Sequence, residues 1–222
     1  MCNLFLADEI NRTSPKTQSA LLEVMEEGKI SVDGITHLVP SPFIVIATQN
    51  PIGFAGTHPL PESQIDRFMV RITMGYPGIE DEVSMLRNRR ESKDISCVKS
   101  VIDRQKLIEL QEAVEKVFLD DKIMNYIVRL AYLSRRHSQV RLGLSPRATL
   151  SLAAVSRACA FSRGRDYVVP EDVQMVLSPA ANHRLVLEPG AKIDETSVTD
   201  VLDEILQQAG EAELLNNRVV SG

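Results

Sequence analysis

Two short apolar runs constrain the fold of this chain more than any other feature. Leu4–Ala7 and Phe43–Ala47 are apolar without alternation, the pattern of strands buried on both faces of a parallel sheet. Asp8-Glu9 follows the first run and Gln49-Asn50 follows the second. Because open α/β sheets bind ligands beyond the carboxyl ends of their strands, we expect both polar pairs at one edge of one sheet.

The segment between the two runs predicts a helix followed by a hairpin. Ser14-Pro15 is typical of a helix start, with serine as the cap and proline at the first helical position, and Gly28 marks the end. Asp33-Gly34 favours a type I′ turn between the strands Lys29–Val32 and Ile35–Val39. These residues therefore predict a helix and an inserted β-hairpin between two core strands.

The pattern changes from alternating to helical near residue 79. Phe68–Met74 alternates apolar and polar positions, which predicts a last strand near a sheet edge. Beyond it, helix starts are indicated at Asp120, Ser145-Pro146 and Pro170-Glu171-Asp172, and fraying is expected from Gln207. The predicted organisation is a partial α/β core over 1–78, a linker with a connecting helix over 79–103, a helical domain over 104–205 and a tail over 206–222.

Composition excludes several classes of protein. A net charge of −5 and a pI near 5.5 argue against a general nucleic-acid or anionic-membrane binder. The three cysteines are far apart and form no C-x-x-C pair, so neither a disulfide framework nor a zinc site is indicated. No apolar run approaches the roughly 18 residues of a membrane span, and we expect a cytoplasmic protein.

The polar pairs have a chemical interpretation and a plainer alternative. Asp8 could hold the water shell of Mg²⁺, Glu9 could activate a water that attacks a phosphate, and an amide at Asn50 could position that water. Alternatively, Asp8-Glu9 is an acidic strand end in solvent and Asn50-Pro51 is a turn. The pairs alone leave both interpretations open.

Longer motifs make a more specific match. L-A-D-E-I-N-R, P-K-T-Q-S-A-L-L-E and I-A-T-Q-N-P occur at 6–12, 15–23 and 46–51, followed by P-L-P-E, D-R-F and L-S-P-R-A-T at 59–62, 66–68 and 144–149. Together, from residue 3 to about residue 205, they resemble the MoxR family of AAA+ ATPases. The resemblance implies a partial P-loop NTPase core with an inserted hairpin, followed by an all-α lid.

The same resemblance implies roles for five residues and two cofactors, ATP and Mg²⁺. Asp8 and Glu9 match the Walker B pair, with Asp8 at the Mg²⁺ and Glu9 as the catalytic carboxylate. Asn50 matches sensor 1. Arg67 matches the arginine finger that reaches a neighbouring subunit's nucleotide, and Arg147 matches the sensor 2 residue that brings the lid onto the γ-phosphate.

The implied partners are other copies of the chain in a ring, a hexamer by family resemblance, and protein clients, among them proteins with von Willebrand factor A domains. Three alternatives stay open: a non-catalytic assembly module, a magnesium-chelatase-like ATPase subunit and a nucleic-acid motor. The last is disfavoured because the hairpin offers only Lys29 and His37 against Asp33, which is a poor surface for tracking phosphates.

One expected motif does not occur in these residues. A complete member has G-x-x-x-x-G-K-[ST] ahead of Walker B, where backbone amides and a lysine cradle the phosphates. Gly28-Lys29 is followed by Ile30 and lies after Walker B, so it cannot substitute. We therefore expect the chain alone neither to bind ATP tightly nor to hydrolyse it. We also expect its α/β part to expose apolar surface and be unstable, while the lid folds independently.

Overall fold

The computed structural model of the chain describes residues 2–32, 34–50, 58–88, 98–192 and 194–219. Its strands are β1 (Leu4–Ala7), β2 (Lys29–Val32), β3 (Ile35–Leu38), β4 (Ile44–Ala47), β5 (Val140–Leu142) and β6 (Val186–Leu187). Its helices are α1 (Pro15–Glu27), α2 (Glu62–Ile65), α3 (Ile79–Asn88), α4 (Arg104–Glu115), α5 (Asp121–Arg136), α6 (Pro146–Ser162), α7 (Pro170–Ala181) and α8 (Val198–Val219).

The two apolar runs form neighbouring parallel strands, as predicted. β1 pairs with β4 in a register that sets Leu4 opposite Ile44 and Ala7 opposite Ala47. The prediction that both faces are buried is wrong, because Leu6 is 62% exposed. In the described parts of the chain this sheet has two strands, so no further strand flanks β1 and its apolar side chains face solvent.

Helix α1 and the hairpin confirm the prediction from local sequence. The Ser14 hydroxyl accepts a hydrogen bond from the Thr17 amide, and Gly28 ends the helix at a φ of 64°, a backbone conformation that glycine adopts without strain. β2 and β3 then pair antiparallel. The predicted type I′ turn rests partly on Asp33, which lies outside the described residues.

The strand predicted over Phe68–Met74 is not present. The described backbone from residue 70 to 78 has no regular hydrogen-bonding pattern, and the Arg71 amide donates to the carbonyl of Pro179 in α7 at 2.9 Å. A strand needs a neighbouring strand to accept its backbone hydrogen bonds, and here the segment runs beside the helical part instead. Met74 is 95% exposed.

The helical part has a large core of its own, built mainly from α5, α6, α7 and α8. Leu130 and Val173 are fully buried, and Leu152, Leu177 and Ile205 are 1% exposed. The helix starts predicted at Asp120, Ser145-Pro146 and Pro170 are confirmed. In the structure α8 continues past Gln207 to Val219, and fraying of this end stays a prediction.

A close backbone approach fixes the path from α5 to α6. A Cβ atom at Gly143 would lie 2.7 Å from the backbone nitrogen and Cα of Arg135, closer than real Cβ contacts allow. The chain can therefore pass the end of α5 only with glycine at this position. Two residues later, the Ser145 hydroxyl accepts the Ala148 amide at the start of α6.

Candidate functional site

The aligned ends of β1 and β4 place the predicted polar residues together. The Thr48 hydroxyl, directly after β4, donates to Asp8 Oδ1 at 2.5 Å and accepts from the Glu9 amide at 2.8 Å. The parallel ladder continues past the strands, because the Ile10 amide donates to the Thr48 carbonyl at 3.0 Å. The orientation of the Asp8 carboxylate is therefore fixed by the neighbouring strand end.

Glu9 occupies an unusual backbone conformation. Its φ of 48° and ψ of 50° are left-handed, which non-glycine residues adopt at a cost that recurs at functional sites. The bend turns the chain out of β1 into a short 3₁₀ helix, Ile10–Arg12, and Arg12 lies 3.0 Å from Glu9 Oε2. The two carboxylates of the pair therefore have different partners, Thr48 for Asp8 and Arg12 for Glu9.

Asn50 lies on the same side of the sheet as the carboxylates. Asn11 Nδ2 donates to the Asn50 carbonyl at 3.2 Å, and Asn11 Oδ1 is buried without a hydrogen-bond partner in the structure. Gln18 in α1 is 2% exposed and donates to the carbonyls of Ile10 and His58. These amides tie the start of α1 to the strand ends.

The donor set at this edge fits Mg²⁺ with a phosphate ligand. Mg²⁺ is usually held by one or two carboxylates, with water and substrate phosphate completing its shell. Asp8 and Glu9 supply two carboxylates, and Thr48 and Asn11 add neutral oxygens. No group of three or more histidine, cysteine, aspartate or glutamate residues that could hold a metal occurs among the described residues, so the edge does not resemble an all-protein metal cage.

The two arginines singled out in the sequence meet at a different place, the C-terminal end of α1. Arg67 pairs with Glu26 Oε2 and donates to the Leu22 carbonyl at 3.3 Å. Arg147, at the start of α6, lies 2.5 Å from Glu26 Oε1. One carboxylate thus accepts from both guanidinium groups, one after α2 and the other on the helical part.

A buried arginine holds the backbone around Arg67. The Arg184 side chain is 2% exposed and pairs with Asp66 at 2.9 Å. It also donates to the carbonyls of Asp66, Phe68 and Met69, and Ser145 donates to Asp66 Oδ2 at 2.8 Å. Burial lowers the pKa of the Arg184 guanidinium, and the Asp66 carboxylate opposes that effect.

His183 adds a titratable group to this junction. Its Nε2 lies 2.9 Å from the Phe68 carbonyl, so in the neutral ring Nε2–H is the donor. Burial lowers the pKa of His183 below its ordinary value of 6.5, and the hydrogen bond to Phe68 only partly offsets that cost. The neutral ring is therefore the form that the folded junction favours.

Comparison with known proteins matches both parts of the chain. Residues 1–70 match a model of the ATPase family associated with various cellular activities, and residues 133–205 match an AAA lid domain. Chaperone MoxR1 of Mycobacterium tuberculosis is 42% identical over 216 residues, covering 93% of this chain and 57% of that protein. This chain belongs to the MoxR family of AAA+ ATPases.

Other relatives agree with membership of the MoxR family. The uncharacterized protein YeaC of Bacillus subtilis is 45% identical over 93% of this chain and 64% of its own length. A crystal structure from Cytophaga hutchinsonii, of a protein provisionally named an ATPase, superposes with a TM-score of 0.87 at 35% identity, covering 92% of this chain and 65% of that one. The chain spans less than two thirds of the length of these relatives.

A more distant relative is named for a different activity. A magnesium-chelatase subunit ChlI homolog of Methanocaldococcus jannaschii is 23% identical over 93% of this chain. The fold expected from the resemblance, an α/β part with a parallel sheet followed by a helical lid, is confirmed. Among the described residues, none of the helices combines the length and the apolar character needed to cross a membrane.

The structure also identifies residues of this MoxR-family chain that sequence reasoning missed. Thr48 lay inside a recognised motif, but only the strand register shows that its hydroxyl contacts Asp8. In the sequence, Glu26 is one of three glutamates near the end of an amphipathic helix, and Arg184 is indistinguishable from an ordinary surface cation. No local pattern identifies the last two, because the charged partners of Glu26 lie 41 and 121 positions away and that of Arg184 lies 118 positions away.

Proposed function

We propose that this chain supplies the hydrolytic, sensor and intersubunit residues of a MoxR-type ATPase. In that enzyme, ATP hydrolysis drives the remodelling or maturation of partner proteins in the cytoplasm. The observation that supports the proposal best is the meeting of Asp8, Glu9 and Asn50 at the aligned ends of β1 and β4. Family membership favours this use of the site over an acidic strand end in solvent.

The strand-end residues divide the work by their positions. When bound, Mg²⁺ would neutralise charge on the phosphates. Asp8, oriented by the Thr48 hydroxyl, would hold its water shell. Glu9, at the left-handed bend after β1, would accept a proton from the attacking water, and the Asn50 amide would position that water. Glu9 must leave Arg12 for this task, so we propose that Arg12 holds the carboxylate between turnovers.

In this proposal Arg67 and Arg147 bind a nucleotide other than the one at the Asp8 edge. Glu26 lies eleven residues along α1 from Pro15, which is roughly 16 Å at the rise of an α-helix. Arg67 and Arg147 are therefore distant from the Asp8 edge of their own chain. We propose that both act on the nucleotide of a neighbouring subunit in a ring, a hexamer by family resemblance, where guanidinium groups stabilise charge on the transferred phosphoryl group.

A second candidate is a non-catalytic assembly subunit. One observation favours it: the side chains of Arg67 and Arg147 are 30% and 42% exposed, so they can reach another chain whether or not this chain binds nucleotide. Such a chain would offer Arg67 and Arg147 to a neighbour without turning over ATP itself. Protein clients with von Willebrand factor A domains are expected only under the first candidate, the ATPase that remodels partner proteins. A magnesium-chelatase role has weaker support, since that relative is 23% identical and the MoxR1 relative is 42% identical.

A fusion tests the first candidate. A segment that carries the G-x-x-x-x-G-K-[ST] motif is joined ahead of residue 1, and phosphate release from ATP is measured with and without Mg²⁺. Glu9→Gln should lower the Mg²⁺-dependent rate at least about 100-fold, the usual loss when a general base is removed. Glu109→Gln, which breaks an exposed pair with Lys106 in α4, is the matched control and should leave the rate unchanged.

The unfused chain separates the two candidates. We expect it to release no phosphate above background under the same conditions, and mixing it with a phosphate-loop-bearing relative should change that relative's rate. Mg²⁺-dependent turnover by the unfused chain that Glu9→Gln abolishes would contradict the expectation of inactivity. A fusion whose rate does not depend on Glu9 would rule out the first candidate.

A further inference from the structure

Glu26 is the one acidic side chain that the structure shows in contact with both candidate phosphate-binding arginines among the described residues. It accepts from Arg67 through Oε2 and from Arg147 through Oε1. The carboxylate therefore occupies, between two guanidinium groups, the position that a phosphate oxygen would need. Guanidinium groups match carboxylate and phosphate geometry equally well, so the two anions exclude each other there.

We propose that Glu26 is an internal competitor that holds Arg67 and Arg147 together until a polyphosphate displaces it. The proposal rests on the proposed role of these arginines toward phosphate and adds a residue that controls their availability. Arg67 follows α2 in the α/β part, and Arg147 begins α6 in the helical part. Displacement of Glu26 would therefore free one arginine from each part of the chain to bind the same ligand.

The surroundings of Glu26 explain why displacement is needed. The cleft beside it is lined by Glu23, Glu26 and Glu27 as well as Arg67, so a polyphosphate is repelled from the cleft itself. Lys29 pairs with Glu27 at 2.9 Å and does not neutralise Glu26. The arginines can present their charge to an anion only after they turn away from this acidic cleft.

The strength of the pairing suits a contact that must break. The side chains of Arg67, Glu26 and Arg147 are 30%, 43% and 42% exposed, and ion pairs at such positions add little to stability because water and salt screen them. A triphosphate brings several negative charges and can accept bidentate hydrogen bonds from both guanidinium groups. The exchange therefore favours the polyphosphate wherever it reaches the arginines outside the cleft.

The test uses the full chain and inorganic tripolyphosphate, with affinity measured by isothermal titration calorimetry. Glu26→Gln should bind tripolyphosphate about tenfold more tightly than the wild-type chain. Glu27→Gln removes the same charge from the same cleft but frees neither arginine, and it should change affinity less than about threefold. Adding Arg67→Ala or Arg147→Ala to Glu26→Gln should abolish the gain.

Two results would overturn the proposal: equal affinities of the Glu26→Gln and Glu27→Gln chains, or a gain that survives removal of either arginine. Circular dichroism melting of each variant confirms that the fold is retained, which the exposed position of Glu26 favours.

The fusion enzyme separates this proposal from the proposed function. If Arg67→Ala lowers ATP hydrolysis while Glu26→Gln leaves tripolyphosphate affinity unchanged, only the competitor role fails. If Glu26→Gln gains affinity while Arg67→Ala leaves hydrolysis unchanged, the catalytic role of Arg67 fails.

Discussion

The α/β part and the helical part of this chain differ greatly in how far their apolar side chains are buried. In the helical part, Leu130 and Val173 are completely inaccessible to solvent, whereas in β1 Leu4 is 57% exposed and Leu6 is 62% exposed. Within the described residues, the two parts differ in how many elements pack on each apolar face. β1 has β4 as its neighbour in a two-stranded sheet, whereas the helices of the helical part share one large core.

This difference teaches that the strand-end edge, which we propose to be functional, is organised without deep burial of the strands that carry it. The site at Asp8 and Thr48 is held by a parallel register and side-chain hydrogen bonds, not by burial. The helical part is stabilised by side-chain packing, and it contacts the α/β part through the ion pair of Arg184 with Asp66. Stability should therefore concentrate in the helical part, and the following changes test that expectation.

The largest expected effect is a cavity in the helical core. Leu130→Ala should lower the free energy of unfolding by about 3 kcal/mol, from lost apolar transfer and the space left behind. Leu6→Ala, the same change on the exposed strand β1, should cost less than about 0.5 kcal/mol. Urea unfolding followed by far-ultraviolet circular dichroism compares them, and equal costs would mean that β1 is covered in solution.

A smaller effect is expected where the two parts meet. Arg184→Gln should cost about 2 kcal/mol, because it removes the buried charge that pairs with Asp66 Oδ1 and donates to the carbonyls of Asp66 and Met69. The two parts should then unfold at separate denaturant concentrations. Arg141→Gln breaks an exposed pair with Glu62 that spans the same junction. It should cost under about 0.5 kcal/mol, and a single shared transition in Arg184→Gln would show that Arg184 does not join the parts.

A buried carboxylate should matter within the helical part alone. Asp172 is fully buried, accepts from Arg165 at 2.5 Å and caps α7 through the Val169 amide. We expect Asp172→Asn to cost about 1.5 kcal/mol, the range for a hydrogen bond to a charged group. Hydrogen exchange should rise in α7 and not at residues 66–69, and a rise at both places would contradict the separation of the two parts.

The same carboxylate predicts a response to acid. The hydrogen bond from Arg165 holds the pKa of Asp172 below its ordinary value of 3.8. Its stabilising contribution is therefore present above that value and is lost as the pH falls through the lower pKa of the folded state. Unfolding curves recorded from pH 5 downward should show a steeper loss in the wild-type chain than in Asp172→Asn.

The smallest effect should come from His183, at the junction. Burial lowers its pKa below 6.5, so the neutral ring stabilises the folded state above that pH, and the contribution falls as the pH drops below it. Melting temperatures at pH 7.5 and pH 5.5 should differ more for the wild-type chain than for His183→Gln. Equal differences would mean that burial of the His183 ring does not favour its neutral form.

Much of the fold could be predicted from the sequence because its signals are local. The cap at Ser14, the helix end at Gly28 and the starts of α5, α6 and α7 depend on residues a few positions apart. The strand expected over Phe68–Met74 failed because alternation indicates a capacity to pair, and pairing also needs a neighbouring strand. The apolar sequence of β1 indicates burial, and its exposure agrees instead with the separate expectation that the α/β part exposes apolar surface.

The candidate site also has residues that local sequence predicts and contacts that it does not. Asp8, Glu9 and Asn50 could be named because Asp8-Glu9 directly follows one apolar run and Asn50 lies three residues beyond the other. The parallel register of β1 and β4 then brings the two strand ends together. The contact of Arg67 and Arg147 with one carboxylate could not be foreseen, since Glu26 lies 41 positions from the first and 121 from the second. Long-range pairing of exposed charges leaves no periodic pattern in a sequence.

The close approach at Gly143 bears on how this protein can vary. With no room for a Cβ beside the backbone of Arg135, the distance from the end of α5 to Ser145 and Arg147 is set by two backbones in direct contact. Exposed residues of α5, such as Val128, can be exchanged without altering that distance, whereas any side chain at position 143 would displace the start of α6. Among homologous sequences, position 143 should thus change far less often than the surface residues around it, although it contacts neither proposed phosphate-binding arginine.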